Sequence, residues 1–301
     1  MTEALTAPGV ALSSDALIAL RRIILQADAA PVLANLPGGF ATRRKGRGLE
    51  VADVRPYVAG DDIRHLDRNA TARTGDLHVR QFQEERDRVT LLVADFRPCM
   101  FWGLRRAFRS VAAAEALALI GWNVVESGGR VGVLALTTGA PVIVPPRGRL
   151  RGMLNVVGGL AQAHQAALAR AAAAPGAEDP PLDQALRFVD TLAPAGAEVI
   201  LASGFDTPGP GLVDRLTALA RRRTPRLVQV TDAGGDRLPR GRYPVRLPDG
   251  RRLKLTFRHT VVEGALGPTI AGHKALVIDA GDPVEATARR IAVAFPGGRG
   301  R

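Results

Sequence analysis

One cysteine, Cys99, in 301 residues rules out an internal disulfide and suits a reducing, cytoplasmic compartment. The five histidines show no His-x-x-x-His pattern, and no Cys-x-x-Cys accompanies them, so no zinc signature is present. A phosphate-binding Gly-x-x-x-x-Gly-Lys-Ser/Thr loop is missing too, which assigns any ATP hydrolysis to a partner. Aromatics make up only 4% of the chain, too few for the base-stacking platforms of single-strand nucleic-acid binders. Lysine is scarce: Lys45, Lys254 and Lys274 are the only ones among 41 basic residues. No apolar run approaches the roughly 20 residues of a membrane span. The most apolar stretch, 111–125, carries Glu115, and the first residues lack the basic start and apolar core of a signal peptide.

What is abundant is arginine. The net charge of +12 makes an anionic partner one reading, an arginine-rich anion or nucleic-acid binder among them. Arginine without lysine, beside plentiful Ala, Gly and Pro, fits an overall compositional bias instead. A hydrophobic share of 46% with 23% charged residues is that of a soluble globular chain, long enough for one large core or two modest ones.

Periodicity divides the chain. Ser13, Ser14 and Asp15 offer N-cap oxygens before ALIALRRIILQAD, where Leu17, Leu20 and Ile24 share a helical face. A Pro37-Gly38-Gly39 turn and the basic cluster Arg43-Arg44-Lys45 follow. Residues 46–88 pack acids and bases too densely for a buried strand or a simple amphipathic helix. Within them Gly60-Asp61-Asp62 reads as a turn before one helical turn over IRHLD, with an Asp at the cap, and LHVRQF alternates as a strand. VTLLVAD, RVGVLAL, AEVILAS and RLVQVTD are short continuous apolar runs, as for strands covered on both faces. PVIVPP is suited to pair beside the second of them.

Helical patterns separate these runs. They cover FRSVAAAEALALIGWNVV, a long segment interrupted at Gly158-Gly159, LDQALRFVDTL and GLVDRLTALARRR. Strands alternating with helices imply a mostly parallel sheet with right-handed crossovers. The tail predicts a hairpin turning at Asp249-Gly250, a strand over HKALVIDAG and a last helix over DPVEATARRIAVAF. The expected regions are 1–45, an N-terminal helix and basic linker; 46–89, a polar β/turn segment; 90–235, the α/β domain; and 236–301, a hairpin, strand and helix on the same core.

The segment GRGLE, RPYVAGDD, RHLD, ATARTG and VRQFQEERD, running into VTLLVAD, resembles the bacterial and archaeal family called domain of unknown function 58. The resemblance covers most of the chain; Arg68 stands where the family usually has tryptophan. It implies a Rossmann-like α/β fold of the von Willebrand factor A type. It also implies a non-enzymatic adaptor acting by protein–protein contact, beside a MoxR-type AAA+ ATPase. The signature and interaction positions it marks are Arg55, Tyr57, Gly60, Asp61, Asp62, Arg64, Asp67, Arg73, Glu85 and Arg86.

Von Willebrand A domains hold Mg²⁺ or Mn²⁺ through an Asp-x-Ser-x-Ser loop, a threonine and a further aspartate. A hard dication demands such oxygen ligands. Here Asp95 keeps the carboxylate, but Arg97 and Cys99 occupy the hydroxyl positions. The loop near 176–182 has no threonine, and Gly204 stands in place of the aspartate, with Asp206 a weak substitute. A guanidinium beside a carboxylate favours a direct ion pair. The expectation is therefore a degenerate site with no metal and no cofactor, Arg97 pairing with Asp95.

Two other groups invite chemistry. Asp61, Asp62 and Asp67 would serve a metal-dependent hydrolase, the second alternative. Arg55, Arg64, Arg68 and Arg73 lie close enough in sequence to neutralise them, which makes an ion-pair and capping network fastening the segment to the α/β domain the expected role. Cys99 lacks a nucleophile motif and is expected to be an inert, partly buried thiol. Trp102, just past the first loop, is a candidate contact residue at the rim or a core side chain.

Overall fold

The computed structural model describes residues 5–29, 50–83, 88–174, 177–232, 241–246, 252–257 and 269–295. The chain forms two compact units, residues 1–34 with 89–301, and residues 35–88. The first helix, α1 (Ser14–Ala29), therefore belongs with the sheet and does not stand apart with the linker. Leu17, Leu20 and Ile24 are buried as their spacing predicts. Trp122 Nε1 donates to the Leu17 carbonyl at 2.9 Å, tying α1 to the helix beneath it.

The smaller unit is a two-stranded antiparallel ribbon, β1 (Glu50–Pro56) against β2 (His78–Gln83), with a short helix α2 (Arg68–Thr74) in the connection. A 3₁₀ turn over Ile63–His65 precedes α2, capped by Asp62 as expected.

The larger unit is built on the apolar runs. β3 (Val89–Asp95), β4 (Arg130–Leu136), β6 (Glu198–Ser203), β7 (Thr224–Thr231) and β11 (His273–Asp279) are parallel, and β5 (Val142–Gly148) closes one edge antiparallel to β4. A short β10 (Thr269–Ile270) pairs antiparallel at the other edge. Across the sheet the order is β10-β11-β7-β6-β3-β4-β5. Counted from β3, the six long strands follow the doubly wound order 3-2-1-4-5-6, whose switch point lies between β3 and β6. The α/β class with a mostly parallel sheet is thus as expected. A separate pair, β8 (Gly241–Arg246) with β9 (Arg252–Phe257), forms the predicted hairpin, whose Asp249-Gly250 turn lies outside the described residues.

Both faces are covered, which is why the strands are apolar without alternation. On one face Leu92, Ala94, Val133, Ile200 and Val228 pack under α1, α3 (Arg109–Glu126), α4 (Arg149–Ala173) and α8 (Val284–Ala294). On the other, Leu91, Val93, Val199 and Leu201 meet Leu182, Leu186 and Val189 together with α7 (Leu212–Ala220).

Two helical expectations are corrected. The Gly158-Gly159 pair does not interrupt α4, which is continuous. A Cβ at Gly159 would stand 2.6 Å from Val144 Cγ2, so this glycine lets the helix lie close on β5 and is no breaker. LDQALRFVDTL is not one helix but α5 (Leu182–Ala185), a 3₁₀ turn (Leu186–Phe188) and α6 (Val189–Leu192). Arg215 Nη2 takes the Leu186 carbonyl at 2.9 Å, drawing it away from an i→i+4 bond.

Candidate functional site at the switch point

β3 and β6 end side by side, so Asp95 and Ser203 meet at the carboxyl edge of the sheet where doubly wound folds place ligands. Asp95, Arg97 and Ser203 are all 0% exposed. Arg97 forms the expected ion pair with Asp95 in bidentate form: Nε donates to Oδ1 at 2.9 Å and Nη2 to Oδ2 at 2.7 Å. The Arg97 backbone N–H adds a bond to Oδ1 at 3.1 Å, and Ser203 Oγ donates to Oδ2 at 2.6 Å. These four donors fill the acceptor capacity of a carboxylate.

The remaining arm of Arg97 reaches two other loops. Its Nη1 donates to the Pro180 carbonyl at 2.6 Å and to the Thr207 carbonyl at 3.0 Å. One guanidinium thereby joins the loops after β3, before α5 and after β6. Burial opposes its charge, but the bond and charge of Asp95 outweigh burial and hold its pKa above the ordinary arginine value.

The rim is not stripped of oxygens, contrary to the expectation from motif loss. Asp179 accepts the Cys99 backbone N–H with both oxygens at 3.2 Å, and Thr207 Oγ1 lies 3.5 Å from Asp179 Oδ2. These acceptors face protein donors. Asp206, the substitute ligand, is taken by Arg109 at 2.7 and 3.3 Å. Arg109 also donates to the Cys99 carbonyl and lies 4.8 Å from the Trp102 ring centroid. At Gly204 a Cβ would stand 2.4 Å from Asp206 Oδ2 and 2.6 Å from Arg109 Nη1, so a side chain there displaces that pair. As arranged, these residues do not fit a dication, because the carboxylates of Asp95 and Asp206 are taken by Arg97 and Arg109. Among the described residues no group of three or more His, Cys, Asp or Glu is placed to hold a metal.

Cys99 is half-buried, and burial, with Asp95 and Asp179 adding, pushes its thiol well above the ordinary cysteine value. It stays protonated at neutral pH and is a poor nucleophile. Trp102 is 41% exposed at the rim, so it is neither fully buried nor free of a partner.

In the smaller unit Asp61, Asp62 and Asp67 each have a structural duty. Arg55 grips Asp61 with two bonds of 2.6 and 2.7 Å, and Val58 N–H adds a third at 2.9 Å. The Arg55 side-chain bond is the main cause lowering the Asp61 pKa, and the same bond raises that of Arg55. Asp62 Oδ1 accepts from the Arg64 backbone at 3.0 Å. Asp67 caps α2 through the Ala70 N–H at 2.8 Å and accepts Arg80 Nε at 2.9 Å; the cap bond, then Arg80, lowers its pKa.

The expected partners of the acids are corrected here. Arg80 on β2, not Arg64, Arg68 or Arg73, neutralises Asp67, because the ribbon folds β2 back over the turn. Arg73 is exposed, its Nε 3.4 Å from the Asn69 carbonyl within α2. Both acid–base pairs lie inside the segment, so they brace it and do not fasten it to the sheet unit. Gly60 sits at φ 108°, open only to glycine, and completes the turn into Asp61; Tyr57 N–H bonds the Leu77 carbonyl at 2.8 Å. Glu85 and Arg86 lie outside the described residues.

Sequence reasoning missed Ser203, Asp179, Thr207 and Arg109. Ser203 carried one signal, a hydroxyl ending a buried strand at the rim. A second buried polar pair also escaped it: Ser110 Oγ lies 3.0 Å from His164 Nε2, and the imidazole is set edge-on to Phe96 and Phe101. Burial lowers the His164 pKa to about 4.

Comparison with known proteins finds uncharacterised relatives. Uncharacterized proteins Mb1516 of Mycobacterium bovis and MT1527 of Mycobacterium tuberculosis are each 35% identical over 102 residues, 34% of this chain. The aligned stretch spans 32% of the length of those relatives. Among solved structures, the conserved hypothetical protein BatB from Bacteroides thetaiotaomicron aligns with a TM-score of 0.42 at 9% identity, over 68% of this chain and 98% of that one. The model of the family described as "Protein of unknown function DUF58" matches residues 53–257, more than half of the chain, and the chain belongs to that family.

Proposed function

We propose that this chain is a non-enzymatic adaptor working through protein–protein contacts, with a von Willebrand A-like rim held in shape by Arg97 where a dication would otherwise sit. The observation that carries this reading is the buried guanidinium bonded to oxygens of three loops beside a carboxylate with no acceptor left over. A rim stapled this way presents one fixed surface whether or not divalent ions are present. The absence of chemistry follows the same logic: the Asp61, Asp62 and Asp67 carboxylates are occupied as braces and caps, and Cys99 is kept as a thiol. The family resemblance favours a MoxR-type AAA+ ATPase as the partner and a cytoplasmic setting. No helix among the described residues is long and apolar enough to cross a membrane.

Calorimetric titration with Mg²⁺ and Mn²⁺ tests the rim. Wild type is expected to give no heat of binding, and the Arg97→Ser, Cys99→Ser, Gly204→Asp triple variant to gain metal affinity. Micromolar binding to wild type, abolished by Asp95→Ala, refutes the reading. Co-purification with the MoxR-type ATPase of the same genome, unchanged by chelator, tests the adaptor role; loss of the complex on adding chelator counts against it.

A further inference from the structure

Between Glu126 and Glu178 the chain contains no Asp or Glu, although this stretch builds β4, β5 and α4. Its arginines converge. Arg130 pairs in register with Gly148, and its Cγ lies 3.5 Å from the place of a Gly148 Cβ. The Arg147 carbonyl would touch a Cβ on Gly152, so Arg147 lies against the first turn of α4, which itself carries Arg149 and Arg151. Arg147, Arg149 and Arg151 are exposed, and among the described residues none has an acidic partner.

Apolar side chains stand among them: Leu150 and Leu154, one turn apart on α4, are 47% and 41% exposed. β5 is also the edge of the sheet. A basic, half-apolar edge built from a stretch, 127–177, that carries no Asp or Glu is complementary to a segment of opposite charge and matching apolar spacing.

We infer that the β5–α4 edge is a docking surface for an acidic, amphipathic segment of a partner protein. This rests on reading the chain as a protein-contact adaptor, and it uses residues apart from the switch-point rim. Nucleic acid is disfavoured because the patch offers no aromatic for stacking and spends its surface on leucine. A bilayer is disfavoured because these apolar side chains are half covered, and no Trp or Phe accompanies them to seat at an interface. An acidic segment uses both features: carboxylates meet the guanidinium forks, and its apolar side chains cover Leu150 and Leu154.

The test uses the full chain and a short fluorescein-labelled peptide of alternating glutamate and leucine, read by anisotropy. Oligoglutamate, phosphatidylglycerol vesicles and single-stranded DNA are the competing probes. The peptide is expected to bind, and to lose affinity by about tenfold or more in Arg147→Glu/Arg151→Glu and in Leu150→Ser/Leu154→Ser. Arg147→Lys/Arg151→Lys should keep most of the affinity, and oligoglutamate should bind more weakly. Hydrogen exchange on wild type should show peptide protection at 147–154, a readout independent of how the variants fold.

Unchanged affinity in both altered proteins, equal binding of oligoglutamate, or protection elsewhere overturns the inference. So does binding of vesicles or DNA that needs these residues while the peptide fails to bind. A metal found at Asp95 would sink the rim reading and leave this measurement standing, while a failed peptide leaves the rim untouched.

Discussion

Replacing Arg97 by methionine removes the cation but keeps most of the side-chain volume. Four hydrogen bonds go with it, two to Asp95 and one each to the Pro180 and Thr207 carbonyls. Asp95 keeps the Arg97 backbone N–H and Ser203 Oγ, but its charge is then buried at 0% exposure with no counter-ion. Breaking one side of a buried ion pair costs about 3–5 kcal/mol. In a unit of this size that lowers the melting temperature by roughly 10 °C.

Both tryptophans, Trp102 and Trp122, belong to the sheet unit, so denaturant unfolding followed by tryptophan fluorescence reports on the unit that holds the pair. Adding Asp95→Asn to Arg97→Met should recover about 1–3 kcal/mol relative to the sum of the single effects, since the stranded charge is gone. Hydrogen exchange near Pro180 and Thr207 should quicken in Arg97→Met before global unfolding. A loss under about 1 kcal/mol, additive with Asp95→Asn, would refute the claim that Arg97 staples the rim.

His164 sets an acid limit. Its folded pKa of about 4 lies below the ordinary 6.5, so at neutral pH both states are uncharged and the stability is intact. As pH falls from 6.5 toward 4 the unfolded chain takes up a proton the folded one refuses, costing about 3 kcal/mol in all. His164→Leu should flatten that slope in urea titrations at stepped pH; an unchanged slope would exonerate the histidine. The two neighbouring glycines of α4 should respond in opposite directions in thermal melts. Gly158→Ala meets nothing within 4 Å and should gain about 0.5–1 kcal/mol from helix propensity. Gly159→Ala drives a Cβ to 2.6 Å from Val144 and should lose about 1 kcal/mol net of that gain, and stabilisation at both sites would show that α4 does not press on β5.

Much of the larger unit was legible from local pattern. Strands buried on both faces must be apolar throughout, so VTLLVAD, RVGVLAL and AEVILAS announced themselves, and the helices between them implied parallel order. Asp62 was readable as a cap because capping is a contact between near neighbours. The Arg97–Asp95 pair was readable for the same reason: two residues of one tight loop meet whatever the rest of the chain does.

Contacts between distant segments were decided by the tertiary structure alone. Arg80 reaches Asp67 because the β1–β2 ribbon folds back, a pairing that nearness in sequence would have given to Arg64, Arg68 or Arg73. The helix expected over 182–192 breaks where Arg215, from a later helix, captures a carbonyl. The rest of the staple is of this kind: Pro180 and Thr207 offer backbone carbonyls, which every residue has and no motif records. Side-chain type fixed which group would carry the charge at the rim, and chain topology, by ending β3 and β6 together, chose the oxygens that surround it.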